Sequence, residues 1–113
     1  LLEAAAQSIT DTASGREILS GVASAKGVIT DKTTGMEARM MGEVARATAG
    51  MDINTVNQIL DKLVASYEGD YANAPAGKTF QECYDVATVT PTEEYVKVYD
   101  GAKKKLEDLG LVF

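Results

Sequence analysis

The sequence predicts an α/β segment that is mostly α-helical, with four helices and one short strand, in a single unit of 113 residues. Three observations carry this. Apolar residues recur at helical spacing in four stretches. Three of those stretches open on a capping residue. Between the first and second stretches the composition turns instead to β-branched residues interleaved with glycine.

The first helix covers Leu1 to about Thr12, where Leu2, Ala5, Ala6 and Ile9 share one face and Gly15 is placed to cap the end. No capping residue precedes it, and the chain begins with Leu1 rather than Met. The expectation is that something has been left off the front. "EILSGVASAKGVIT", residues 17–30, then changes character. Ile18, Leu19 and Val22 lie among small residues without alternation, the pattern of a strand buried on both faces of a parallel sheet. A strand is expected over about 18–23, although no convincing second strand is available to pair with it.

"TTGMEARMMGEVARATAG" opens the second helix, about 34–49. Thr34 and Glu37 have capping-box spacing, in which each side chain satisfies a free backbone N–H, and Gly50 closes the helix. Met36, Met40 and Val44 read as its core stripe. A second face, Ala38, Gly42, Ala45 and Ala49, is almost bare of large side chains. The third helix, about 53–68, is capped by Asp52 and carries Ile53, Val56, Leu60, Leu63 and Tyr67 on one face. A long connection follows, broken by Pro75 and Gly77. Its aromatics Tyr71, Phe80 and Tyr84 suggest a connection laid over a surface. The last helix, about 91–109, is expected to start from Thr90 as cap, with Pro91 in the first position and Glu93 closing the box. Tyr95, Tyr99, Ala102, Leu106 and Leu109 face inward, and Gly110 ends it.

Composition excludes several functions. The net charge is −6, with 17 acidic against 11 basic residues, which disfavours nucleic acid as a partner. The basic run Lys103-Lys104-Lys105 falls near a helix end, where cations complement the dipole. No apolar run is long enough to span a membrane, and no signal peptide is recognisable. The single cysteine, Cys83, excludes a disulfide framework and favours the cytoplasm; with no histidine in the chain, it reads as a buried or half-buried structural thiol. The lack of histidine also removes Ser-His-Asp chemistry and most zinc sites. The acidic residues of the last helix are spread around it, so no metal site is expected.

Motifs for chemistry are sparse. "SGVASAKG" lacks phosphate-loop spacing. "SAKGVITDKTTG" is the one polar constellation between the expected strand and a helix start, the position where α/β folds collect ligands. Lys26 and Asp31 are the candidates there for a pocket rim, set against an ordinary connection with solvated charges.

The runs "AQSITDTASGREILSGVASAKGVITDKTTGMEARMMGEVARATAG" and "APAGKTFQECYDVATVTPTEEYVKVYDGAKKKLEDLGLVF" resemble the C-terminal end of the monomethylamine:corrinoid protein methyltransferases of methanogenesis. The resemblance covers essentially the whole chain. It implies the C-terminal part of an oligomeric (β/α)8 TIM barrel, with the expected strand as its last. It also implies a transferase that moves a methyl group from monomethylamine to the cobalt of a corrinoid held by a cognate protein. The amine would be held as an adduct on pyrrolysine, which lies upstream, as do the family's pocket residues. No catalytic residue can therefore be placed in this chain, and the segment alone is expected to bind no cofactor and to be inactive. A barrel takes about 250 residues, so the bare face of the second helix would pack on neighbours absent from the sequence. The rival reading is a stand-alone helical interaction module without catalysis, which should cover its own apolar surface.

Overall fold

A computed structural model describes residues 1–113. Helix α1, Leu2–Ala13, lies against both α2, Gly35–Thr48, and α3, Ile53–Ala65. Its Ala5 and Ala6 are buried, and such small side chains let neighbouring backbones approach closely. The Ser8 hydroxyl exploits this and donates a buried 2.8 Å hydrogen bond to the Met41 carbonyl of α2. Ile9, Met36, Met40, Val44, Val56, Ile59, Leu63, Tyr99, Leu106 and Leu111 complete a single core. The last three come from α5, Glu93–Leu109, and the tail behind it.

The expected caps hold at three helix starts and ends. The Glu37 carboxylate accepts from the Thr34 N–H at the start of α2. Asp52 accepts from the Thr55 N–H at 3.0 Å at the start of α3. Gly110 ends α5 at φ +117, a conformation that only glycine adopts cheaply. Helix α3 stops at Ala65, short of 68, and a 3₁₀ turn over Glu68–Asn73 follows. Within α3 the buried residues are Val56, Ile59 and Leu63, while Ile53 in the first turn is 51% exposed.

Two expectations are corrected. No strand forms over 18–23. Residues 17–22 make no backbone hydrogen bond to another element, and Ile18 is 78% exposed. A strand needs a ladder partner, and the two strands present already pair with each other. These are β1, Tyr84–Asp85, and β2, Thr90–Pro91, antiparallel, with Tyr84 opposite Pro91 and Asp85 opposite Thr90. The chain leaves 17–22 through a left-handed turn in which Ala25 and Lys26 have φ of 51° and 59°. Such residues cost roughly 1–2 kcal/mol each.

The second correction follows from that hairpin. Because Thr90 and Pro91 belong to β2, they cannot open the last helix. The cap of α5 is Thr92, whose hydroxyl accepts from the Tyr95 N–H at 3.2 Å. The long connection also holds α4, Phe80–Cys83, capped by Thr79 and Glu82. Phe80 stacks on Tyr84 at 4.7 Å, and Tyr84 meets Tyr95 edge-on at 6.0 Å. Tyr71 stays outside this cluster and is 67% exposed.

The bare face of α2 is turned away from the core. Ala38 and Ala49 are exposed, Gly42 and Ala45 half-buried. A Cβ at Gly42 would come no closer than 4.0 Å to the tip of Arg46. The accessible surface is 6989 Å². A self-contained monomer of 12.0 kDa exposes roughly 6,000 Å². The excess is about 1,000 Å², and Ile18 and Val28 are among the large apolar side chains left exposed. No helix is long and apolar enough to cross a membrane.

Candidate functional site

A cavity of about 900 Å³ lies between the start of α1, the 24–34 loop, the 66–78 connection and α5. Its polar wall is built from the α2 N-terminus. Thr34 must leave extended backbone at the cap, which places Glu37 one turn on and facing back. One Glu37 oxygen accepts from the Thr34 N–H. The other accepts from the Ser24 hydroxyl at 2.8 Å, and the Ser24 N–H donates to the Thr33 hydroxyl at 3.1 Å. The Thr34 and Tyr95 hydroxyls are 2.7 Å apart, so α2 is joined to α5 across the cavity wall. Burial pushes the Tyr95 phenol up to about 12 and keeps it protonated at neutral pH.

Cys83 also lines this cavity and is buried at 6% exposure. Burial raises its thiol pKa, outweighing the opposing pull of Lys78. It is a structural thiol, held in its unreactive form. Glu37 has both oxygens engaged by donors. The wall therefore positions and joins elements but contains no nucleophile paired with a base. No group of three His, Cys, Asp or Glu side chains converges anywhere as a metal site.

The structure places neither Lys26 nor Asp31 in the cavity lining. Lys26 is exposed. Asp31 is a fastener for α4: its carboxylate accepts from the Gln81 amide at 2.8 Å and its carbonyl from the Phe80 N–H at 2.7 Å. Their neighbour Lys32 does line the cavity and donates to the Gly77 carbonyl at 2.6 Å. Sequence reasoning assigned Glu37 to a cap and Tyr95 to packing. Both roles are real; what it missed is that the cap, with Ser24, forms a cavity wall.

A second polar cluster joins α2 to α5 on another side. Glu43 receives Arg39 at 2.7 Å and Lys103 at 2.8 Å. Lys103 lowers the Glu43 pKa to about 2, helped by Arg39 and opposed by the carboxylate's own burial. The Lys103 ammonium also sits 4.4 Å from the Phe113 ring centroid, a cation–π contact that pins the C-terminal residue. Lys104 pairs with Asp108 one turn on. Lys103 thus serves an inter-helix bridge and Lys104 an exposed helical pair, while Lys105 lines the cavity.

Fold and site together define a class: a predominantly helical segment whose polar clusters bind its own elements to one another, with part of its apolar surface left uncovered. Comparison with known proteins supplies the particular family. A family model described as monomethylamine methyltransferase MtmB matches residues 1–111. The chain belongs to the monomethylamine methyltransferase MtmB family. It is 87% identical over 113 residues to monomethylamine methyltransferase MtmB1 of Methanosarcina acetivorans, covering 100% of this chain and 25% of that relative. The figures are the same for MtmB1 of Methanosarcina barkeri strain Fusaro. The crystal structure of the Methanosarcina barkeri monomethylamine methyltransferase superposes with a TM-score of 0.97 at 86% identity, over 99% of this chain and 24% of that one. The chain spans about a quarter of the length of these relatives.

Proposed function

We propose that this chain is the structural C-terminal part of an enzyme that transfers the methyl group of monomethylamine to the cobalt of a corrinoid carried by a separate cognate protein. The observation that carries this is the family match over residues 1–111 at a quarter of the relatives' length. The 113 residues close one end of a (β/α)8 barrel and pack through the bare face of α2, either on that barrel or on a neighbouring subunit of a homo-oligomer. The exposed Ile18 and Val28 and the surface excess support such packing over a stand-alone helical module, which should cover these residues itself. The single free, buried cysteine fits a reducing cytoplasm.

The residues present do not fit a corrinoid site. There is no histidine to reach cobalt and no converging ligand set, so no step of the transfer is assigned to this chain. The corrinoid cobalt supplies the methyl acceptor from its own carrier. On this proposal, pyrrolysine and the amine pocket lie upstream of Leu1. This chain's own contribution is mechanical: Thr34–Tyr95 and Glu43–Lys103 hold α2 against α5.

The test is methyl transfer to the corrinoid protein by the full-length enzyme, by the enzyme truncated before Leu1, and by the 113 residues alone. Activity is expected only from the full-length chain. Transfer by the isolated segment, or full activity after truncation, would refute the proposal.

A further inference from the structure

The cavity is roofed by five consecutive residues, Ala74–Lys78, all of them exposed on their outer side. This strap is fixed firmly at its ends. Upstream, the 3₁₀ turn over Glu68–Asn73 follows α3 after two residues. Downstream, the Phe80 N–H and the Gln81 side chain are both held by Asp31. Between those ends, Ala74–Lys78 makes three hydrogen-bonding contacts with the rest of the protein, one of them the Ala74 N–H donating to the Tyr71 carbonyl at 3.4 Å in the turn just behind it. Lys32 donates to the Gly77 carbonyl at 2.6 Å, and Lys78 pairs with Glu94 at 2.8 Å. Both use the flexible end of a lysine, Lys78 exposed and Lys32 half-buried. Pro75 carries no N–H, and Gly77 sits at φ +78, where a left-handed backbone costs glycine little. No residue of the strap belongs to the buried core.

We infer that residues 74–78 form a lid over the cavity, held shut by Lys32 and Lys78, which controls solvent access to the wall formed by Ser24, Glu37, Tyr95 and Cys83. The inference rests on the proposed function in one respect, that the strap stays uncovered in the full-length enzyme; it needs nothing of the methyl transfer itself. Exposed lysine contacts are weak and salt-sensitive, so the lid opens locally without unfolding the helices on either side. Its wall residues are already bonded to one another, so opening admits solvent without breaking the Thr34–Tyr95 join.

Cys83 reports the motion because it lines the cavity beneath the strap. The experiment uses the full-length enzyme carrying Lys32→Met and Lys78→Met together, with peptide-resolved hydrogen exchange and maleimide labelling quantified on the peptide containing Cys83. Cys83 labelling is expected to rise roughly tenfold, while the α3 and α5 peptides keep their wild-type protection against hydrogen exchange. Raising the ionic strength of the wild type should produce a smaller change of the same kind. Unchanged Cys83 labelling in the variant would overturn the inference. So would a matching loss of protection in α3 and α5.

Discussion

Substitution of Glu43 by glutamine tests whether ion pairing, in addition to apolar contact, clamps α2 to α5. The wild-type carboxylate is mostly buried, 16% exposed, with Lys103 at 2.8 Å and Arg39 at 2.7 Å. Its pKa falls from 4.5 to about 2. That drop corresponds to at most about 3 kcal/mol of stabilisation of the charged form. Arg39 is 63% exposed and Lys103 25%, so solvent screening reduces the effective clamp to about 1–2 kcal/mol. Because the folded pKa is depressed, the stabilisation is fully present above 4.5 and is lost as pH falls toward 2. In the full-length enzyme, Glu43→Gln should speed local amide exchange in α2 and α5 by about five- to thirtyfold at pH 7. The gap between variant and wild type should narrow below pH 4.5 once intrinsic exchange rates are corrected. Lys103→Met should behave similarly, and the double variant should add little further. A variant gap that is absent at pH 7, or one that widens on acidification, would refute the clamp.

Other perturbations separate structural roles read here from those suggested by pattern alone. Leu63 is fully buried, so Leu63→Ala should cost about 2–5 kcal/mol; Ile53→Ala, at a half-exposed position, should cost under about 0.5 kcal/mol. Protease susceptibility of the full-length chain distinguishes them. Thr92→Ala removes the α5 cap and should cost about 1 kcal/mol, with Thr90→Ala costing less, as read from exchange of the first α5 turn. Gly42→Ala gives a sign test of the α2 face. On an open helix surface it would stabilise by about 0.4–1 kcal/mol, whereas a face packed closely on the rest of the enzyme predicts a lower melting temperature.

Legibility in the sequence followed how local each signal is. The Thr34–Glu37 box, the Asp52 cap and the Gly110 stop are each set within a few residues, and all appear as expected. Residues 18–23 did not form a strand because β-branched composition reports suitability for a sheet, while the sheet itself depends on distant partners. The true hairpin was invisible for the opposite reason: two residues per strand leave no periodicity to read. Thr90-Pro91-Thr92-Glu93 fits a helix start in two registers. Pairing of Pro91 with Tyr84 selects the later one, a choice made by tertiary contact. The same limit applies to the cavity. Glu37 and Thr34 were visible as a cap, but their link to Ser24 and Tyr95 joins positions up to 61 residues apart. Lys26 and Asp31 shared the loop's polar character, yet the left-handed backbone at both positions accompanies a turn that leaves Lys32 as the residue lining the cavity.

The most direct test is the intact mass and peptide map of the natural polypeptide that carries this sequence. A structural part of a methyltransferase predicts a chain of about four times 12.0 kDa, given coverage of 25% of the relatives' length, with a modified lysine derivative upstream of Leu1. A mature product of 12.0 kDa beginning at Leu1 would contradict it and leave a self-contained helical module in its place.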